Sequence, residues 1–142
     1  MKITATENIE KALKERGYRC TSSRIALLKM LLKEARPLSI QEILELWSKQ
    51  KPNQVTLYRA LESLASTGMI NRVDLNSGVA RYEYTPNTHH HHLVCTNCKV
   101  LEDIATCSVS SLKNTILKNS KFTSIYSHTL EFFGLCNRCA TN

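Results

Sequence analysis

The sequence predicts an α+β chain in two parts: a helical domain closed by a β-hairpin, then a small α/β domain cross-linked by paired cysteines. Three observations carry this. Apolar residues recur at helical spacing through the first half. Two short β-rich runs around Asp74-Leu75-Asn76-Ser77-Gly78 end that half. Beyond them stand two C-x-x-C pairs, Cys95/Cys98 and Cys136/Cys139.

The first helix is expected over 6–16, capped by Thr6, with Ile9 and Leu13 on one face and Gly17 stopping it. Thr21 is the next cap, and Ile25, Leu28, Leu31 and Leu32 form the stripe of a second helix that ends before Pro37. Ser39-Ile40-Gln41-Glu42 is a capping box opening a third helix, with Ile43, Leu44 and Trp47 inward. Asn53 caps a fourth, with Val55, Leu57, Leu61 and Leu64 as its buried side and Gly68 as its end. Two helices joined by a short turn, the second bearing Gln54, Thr56, Tyr58 and Arg59, read as a helix-turn-helix. Strands are expected over 69–73 and 79–84, a hairpin placed as a wing, so residues 1–84 read as a winged helix.

Thr85-Pro86-Asn87-Thr88 is polar and resists regular structure, so 85–88 is read as a hinge and 89–142 as the second domain. There a strand is expected into Cys95, another over 99–104, a helix over 109–118 with Ser108 or Ser110 near its cap, and a third strand over 123–133. So short a domain has little core, and both a metal cross-link and self-association are expected to support it.

Two C-x-x-C pairs supply four thiolates to one tetrahedral structural zinc, the usual zinc-ribbon arrangement; disulfides or two unrelated pairs are the alternatives. Four successive histidines, His89, His90, His91 and His92, lead into the first pair. In an extended chain alternate side chains face opposite ways, so His90 and His92 share one face and His89 and His91 the other. That pattern offers ligand pairs to two different sites, and imidazoles beside thiolates suit transition metals.

The chain has 142 residues and a formal charge of +7. Residues before Pro86 hold 14 of the 19 Lys and Arg and 9 of the 12 acids, a balance of +5, leaving +2 for the rest. Zinc with four thiolates would subtract two and bring the second half near neutral. The excess therefore belongs to the first half and suggests a polyanion partner, most simply nucleic acid. No stretch approaches the ~20 apolar residues of a membrane span, and no apolar signal core follows Met1-Lys2-Ile3. Cysteines kept for metal fit a reducing cytoplasm.

Five motifs in order resemble the ferric uptake regulator family of metal-responsive repressors. Gly17-Tyr18-Arg19-Cys20-Thr21-Ser22-Ser23-Arg24 resembles its G-x-R-x-T-x-x-R opening, and Val55-Thr56-Leu57-Tyr58-Arg59-Ala60-Leu61 its recognition helix. Arg81-Tyr82-Glu83 is similar to the end of its wing. His90-x-His92-Leu93-Val94-Cys95-x-x-Cys98 and Gly134-Leu135-Cys136-x-x-Cys139 are similar to its two knuckles.

The resemblance implies a homodimer with an N-terminal winged helix and a C-terminal α/β dimerisation domain. It implies structural zinc on Cys95, Cys98, Cys136 and Cys139, and a regulatory divalent metal on Glu83, His90, His92 and Asp103. A further site would take His89, His91 and His128, with Cys107 either a substitute ligand or a buried structural cysteine. Arg19 would enter the minor groove of an A/T-rich palindromic operator, Tyr58 would touch thymine methyls, and Arg59 a phosphate or guanine.

The chain departs from the family pattern in four places. A histidine often found before the third helix falls at Pro37 or Leu38. His91 replaces an aspartate, a glutamate near Ser110 is missing, and Lys99 stands where glycine is usual. His91 is similar to zinc-sensing members and Asp103 to peroxide-sensing ones, so the sensed metal is read as zinc or Fe2+, with Mn2+ a third choice. A zinc-dependent hydrolase and a zinc-stapled interaction module are the rivals from other classes. Neither H-x-E nor C-x-E, needed by nucleotide deaminases, occurs in the chain.

Overall fold

The computed structural model describes residues 5–48, 50–75, 77–85 and 89–141. The chain divides into two compact units, Met1–Thr85 and Pro86–Asn142. Of the expected hinge, residues 86–88 lie outside the described residues, as does residue 76 of the hairpin turn. No described helix is long and apolar enough to cross a membrane.

The first unit runs α1 (Ala5–Glu15), α2 (Ser22–Glu34), β1 (Leu38–Ser39), α3 (Ile40–Leu46), α4 (Gln54–Ser66), β2 (Ile70–Asp74) and β3 (Ala80–Tyr84). The strands form an antiparallel sheet in the order β1-β3-β2. Local chemistry sets the helix starts. Thr21 accepts a hydrogen bond from the Arg24 amide at 3.3 Å, and Asn53 accepts one from Val55 at 2.8 Å. The Ser39–Glu42 box closes both ways, at 3.2 and 2.8 Å. Each such cap contributes about 1 kcal/mol. Thr6 does not act as the first cap, because α1 already includes Ala5 and places Thr6 inside its first turn.

The core joins Ile9 and Leu13 of α1, Leu27, Leu28 and Leu31 of α2, Ile43 of α3, Leu57, Leu61 and Leu64 of α4, and Leu38, Met69, Ile70 and Tyr82. Leu44 and Trp47 pack at its edge. Two expected stripes are turned. On α2 the buried face holds Leu27 rather than Leu32, and Ile25 is only half-buried. On α4, Val55 is 60% exposed, because Leu57, Leu61 and Leu64 already fill the side toward the core.

Strand β3 is clamped at successive residues. Arg81 donates to Glu42 at 2.6 Å and to the Pro37 carbonyl at 3.4 Å. Burial would raise the Glu42 carboxyl, but the Ser39 amide, Ser39 hydroxyl, Arg36 and Arg81 together hold it down at about 2. Tyr82, fully buried, donates its hydroxyl to Glu62 of α4 at 2.7 Å. Burial and then this carboxylate push its phenol pKa up. Strand β3 is thus tied to both α3 and α4. Glu83, next along, is buried and accepts a hydrogen bond from the Asn71 amide at 3.4 Å.

The second unit runs β4 (His91–Cys95), β5 (Leu101–Ile104), α5 (Ser110–Lys118), β6 (Glu131–Gly134) and α6 (Asn137–Ala140). The strand order is β5-β4-β6, with β4 antiparallel to β5 and parallel to β6. The expected 123–133 strand shrinks to β6, since only that end pairs with β4 and an unpaired β-rich run gains no ladder hydrogen bonds. Val109 occupies the cap of α5, between Ser108 and Ser110 as expected, and no side chain closes it. No residue of α5 is buried, and Leu112, Ile116, Phe122, Tyr126 and Phe132 are all exposed.

Candidate metal centres

The parallel pairing of β6 with β4 ends at Cys95 opposite Gly134, with the Thr96 amide donating to the Gly134 carbonyl at 2.8 Å. Cys136 follows two residues later and so comes level with the first knuckle. A tight turn, Lys99 amide to Cys95 carbonyl at 3.0 Å, brings Cys98 round beside Cys95. One turn of α6, opening with the Cys139 amide on the Cys136 carbonyl at 2.9 Å, does the same for Cys139. The four sulfurs lie within 4.8 Å of one another. Zn–S bonds of ~2.3 Å at tetrahedral angles put sulfurs ~3.8 Å apart, and Cys98 and Cys136 stand at 3.6 Å. The donor set fits structural zinc.

The thiol electrostatics agree with that reading. Amide groups of Cys136, Cys98 and Asn97 aim at Cys95 and bring its thiol down to about 6. The Cys139 thiol is instead pushed up to about 12, chiefly by its hydrogen bond to Cys136, and a divalent ion at the centre would favour the thiolate there. Arg138 lies 4.0 Å from the Cys98 sulfur and offsets part of the remaining negative charge.

Lys99 carries a cost in this knuckle. Its φ of 63° lies in the left-handed region, which favours glycine. The ammonium reaches back to the Thr96 carbonyl at 2.7 Å and offsets part of the strain. Lys99→Gly is expected to stabilise the protein by about 1 kcal/mol. A denaturation midpoint that falls instead would show that the ammonium bond outweighs the strain.

The histidines pair as alternate residues of an extended chain. The His89 and His91 rings meet at 4.5 Å, and those of His90 and His92 at 4.9 Å. His128 joins the first pair from 39 residues away, its Nε2 3.0 Å from that of His89, which is itself 3.1 Å from Nε2 of His91. Cys107 completes the group, its sulfur 3.3 Å from His128 Nε2, and all four donor atoms lie within 4.8 Å. Desolvation, then His89 and His128, lower the pKa of the buried His91; desolvation, then His89 and Lys113, lower that of His128. Both rings therefore favour the neutral form that binds metal. A hydrogen bond to the Leu130 backbone orients His91.

On the second pair, His92 is buried, and the β4–β5 register sets it opposite Asp103, Nε2 to Oδ1 3.9 Å. In the first unit, Gln54, Thr56, Tyr58 and Arg59 are exposed along α4, and Arg19 is exposed before α2. Val55, expected inside, is also exposed on α4. The competing pull of the core on Leu57 is the signal that could have revealed it.

Four thiolates around one ion would leave no position for a substrate, and the remaining histidines gather in groups that could hold a metal. The class these groups point to is a metal-binding protein. Residues 15–133 match the ferric uptake regulator family, and the chain belongs to that family. The ferric uptake regulation protein of Bacillus subtilis (strain 168) is 32% identical over 139 residues, covering 94% of this chain and 93% of that one. The Helicobacter pylori ferric uptake regulator, whose structure reveals three functional metal binding sites, superposes with a TM-score of 0.76 at 22% identity, over 99% of this chain and 97% of that one. A zinc uptake regulator complexed with zinc and DNA superposes with a TM-score of 0.68 at 21% identity, over 98% and 97%. The chain is a metal-responsive transcriptional regulator.

Proposed function

We propose that the chain is a cytoplasmic, homodimeric repressor of metal-homeostasis genes whose winged helix binds an A/T-rich palindromic operator when a regulatory metal is bound. Glu83, His90, His92 and Asp103 form the regulatory ligand set; His89, His91, His128 and Cys107 form a further metal site; the four knuckle cysteines hold structural zinc. The observation that carries the reading is the split of four successive histidines into two pairs, one grouped with His128 and Cys107, the other bearing Asp103 across the strand.

Metal would favour the arrangement that places two recognition helices at a palindrome's spacing, because that arrangement binds it better. The exposed apolar residues of α5 and its surroundings support a dimer, since a second copy would cover them. The exposed side chains of α4 and the positive balance of the first half support DNA as the partner. The sensed metal is zinc first, given the imidazole-rich donors. Asp103 beside His92 favours Fe2+, and with it a peroxide-sensing repressor, as the second reading.

The test is operator binding against free metal, with two variants that differ in kind. Tyr58→Ala is expected to weaken operator binding by about 1–3 kcal/mol with little change on random DNA. Arg59→Ala is expected to weaken both and to reduce the salt slope by about one. Unchanged binding in both variants would remove α4 as the recognition helix. Absence of operator binding with every divalent metal would leave a zinc-stapled interaction module.

A further inference from the structure

The group on His89, His91, His128 and Cys107 has a donor set that bears on which metal it takes. Three imidazole Nε2 atoms converge, two of the contacts at 3.0 and 3.1 Å, and the Cys107 sulfur closes the fourth side at 3.3 Å from His128. Zn–N bonds of ~2.0–2.1 Å and a Zn–S bond of ~2.3 Å at tetrahedral angles imply edges of ~3.3–3.6 Å. The observed separations need to open by only a few tenths of an ångström to admit an ion.

A neutral imidazole carries its proton on one ring nitrogen, so each of the three Nε2 atoms can present a lone pair to a cation at the centre. Among the described residues the group contains no carboxylate. Carboxylate and water donors suit Mn2+ and, with imidazole, Fe2+; thiolate with imidazole suits zinc.

We propose that Cys107 is a thiolate ligand of this site, and that three imidazoles and one thiolate make it a closed tetrahedral centre for Zn2+, or Co2+ as its spectroscopic substitute, that discriminates against Mn2+ and Fe2+. This rests on the reading of the group as a metal site and adds its closed four-coordination through a thiolate and the class of its metal. Four protein donors fill a tetrahedral ion, so the site is structural in kind and holds no water. Cys107 and His128 flank α5 in sequence, at the chain's entry to that helix and on the stretch between it and β6. The ion would staple both sides of an element that buries no residue of its own.

The experiment uses the full chain with zinc already bound by the four knuckle cysteines, titrated with Co2+. Expected are intense tetrahedral visible bands together with a near-ultraviolet thiolate-to-cobalt charge-transfer band, both displaced by Zn2+ and not by Mn2+. Cys107→Ser should lose the charge-transfer band and weaken Co2+ binding by about tenfold or more. Cys107→Asp should keep a bound metal and shift preference toward Mn2+. An unchanged spectrum in Cys107→Ser, or displacement by Mn2+ as readily as by Zn2+, would overturn the proposal while leaving a histidine metal site standing. If His89→Ala and His128→Ala both leave Co2+ uptake unchanged, the underlying site reading fails as well. Circular dichroism and dimer mass of each variant separate ligand loss from unfolding.

Discussion

Cys95→Ser or Cys139→Ser is expected to lose the structural zinc and unfold the second unit while the first stays folded. Magnitudes decide this. Structural zinc supplies ~10–16 kcal/mol of apparent binding energy in small zinc peptides. The only hydrophobic residues buried in that unit, among those described, are Val94 and Cys95 itself. Fully burying a valine contributes about 1.5–3 kcal/mol, too little to replace the metal. The measurement is zinc per chain with near- and far-ultraviolet circular dichroism. A variant that stays a folded, zinc-loaded dimer would reject the four-cysteine assignment. Cys95 and Cys139 lie on different knuckles, so agreement between the two variants also shows that both knuckles hold one ion.

His90→Ala is expected to abolish metal-dependent operator binding and leave structural zinc in place. His89→Ala should lower metal stoichiometry or stability with a milder effect on DNA. The two residues are neighbours in sequence, so the difference must come from the face each ring occupies. His90 packs against His92, which stands opposite Asp103, whereas His89 lies within 3.1 Å of both His91 and His128. Removing a ligand should weaken metal binding at its own site by tenfold or more, ~1.4 kcal/mol at the least. The readout is metal per chain together with operator affinity against free metal. Cys107→Ser should group with His89→Ala. Indistinguishable behaviour of His89→Ala and His90→Ala would sink the two-site model.

Much of the helical unit is legible locally. A cap is a property of three or four successive residues, so Thr21, Asn53 and the Ser39–Glu42 box predict helix starts that the structure reproduces. The hairpin strands lie within a residue of the β-rich runs, which flank a turn whose Gly78 takes φ 71°. Helix faces are less legible. A 3.6-residue period with apolar residues at successive positions, as in Ile25 to Leu32, allows more than one inward face, and the neighbouring helices choose.

In the second unit the sequence by itself determined the knuckle spacing and the alternation of the histidines. A C-x-x-C turn and an extended chain are short-range geometries that need no partner. Only the tertiary structure decided how far the last strand runs, since β6 exists only where β4 offers hydrogen-bonding groups. It also decided that Lys99 must accept φ 63°, and that Val55 faces out because three leucines of the same helix outcompete it for the core. Cys107 and His128 stand 21 residues apart in sequence, yet sulfur and imidazole meet at 3.3 Å. No local rule brings them together. The chain's path around α5 does, and contacts closed over such distances depend on the packing of every element between them.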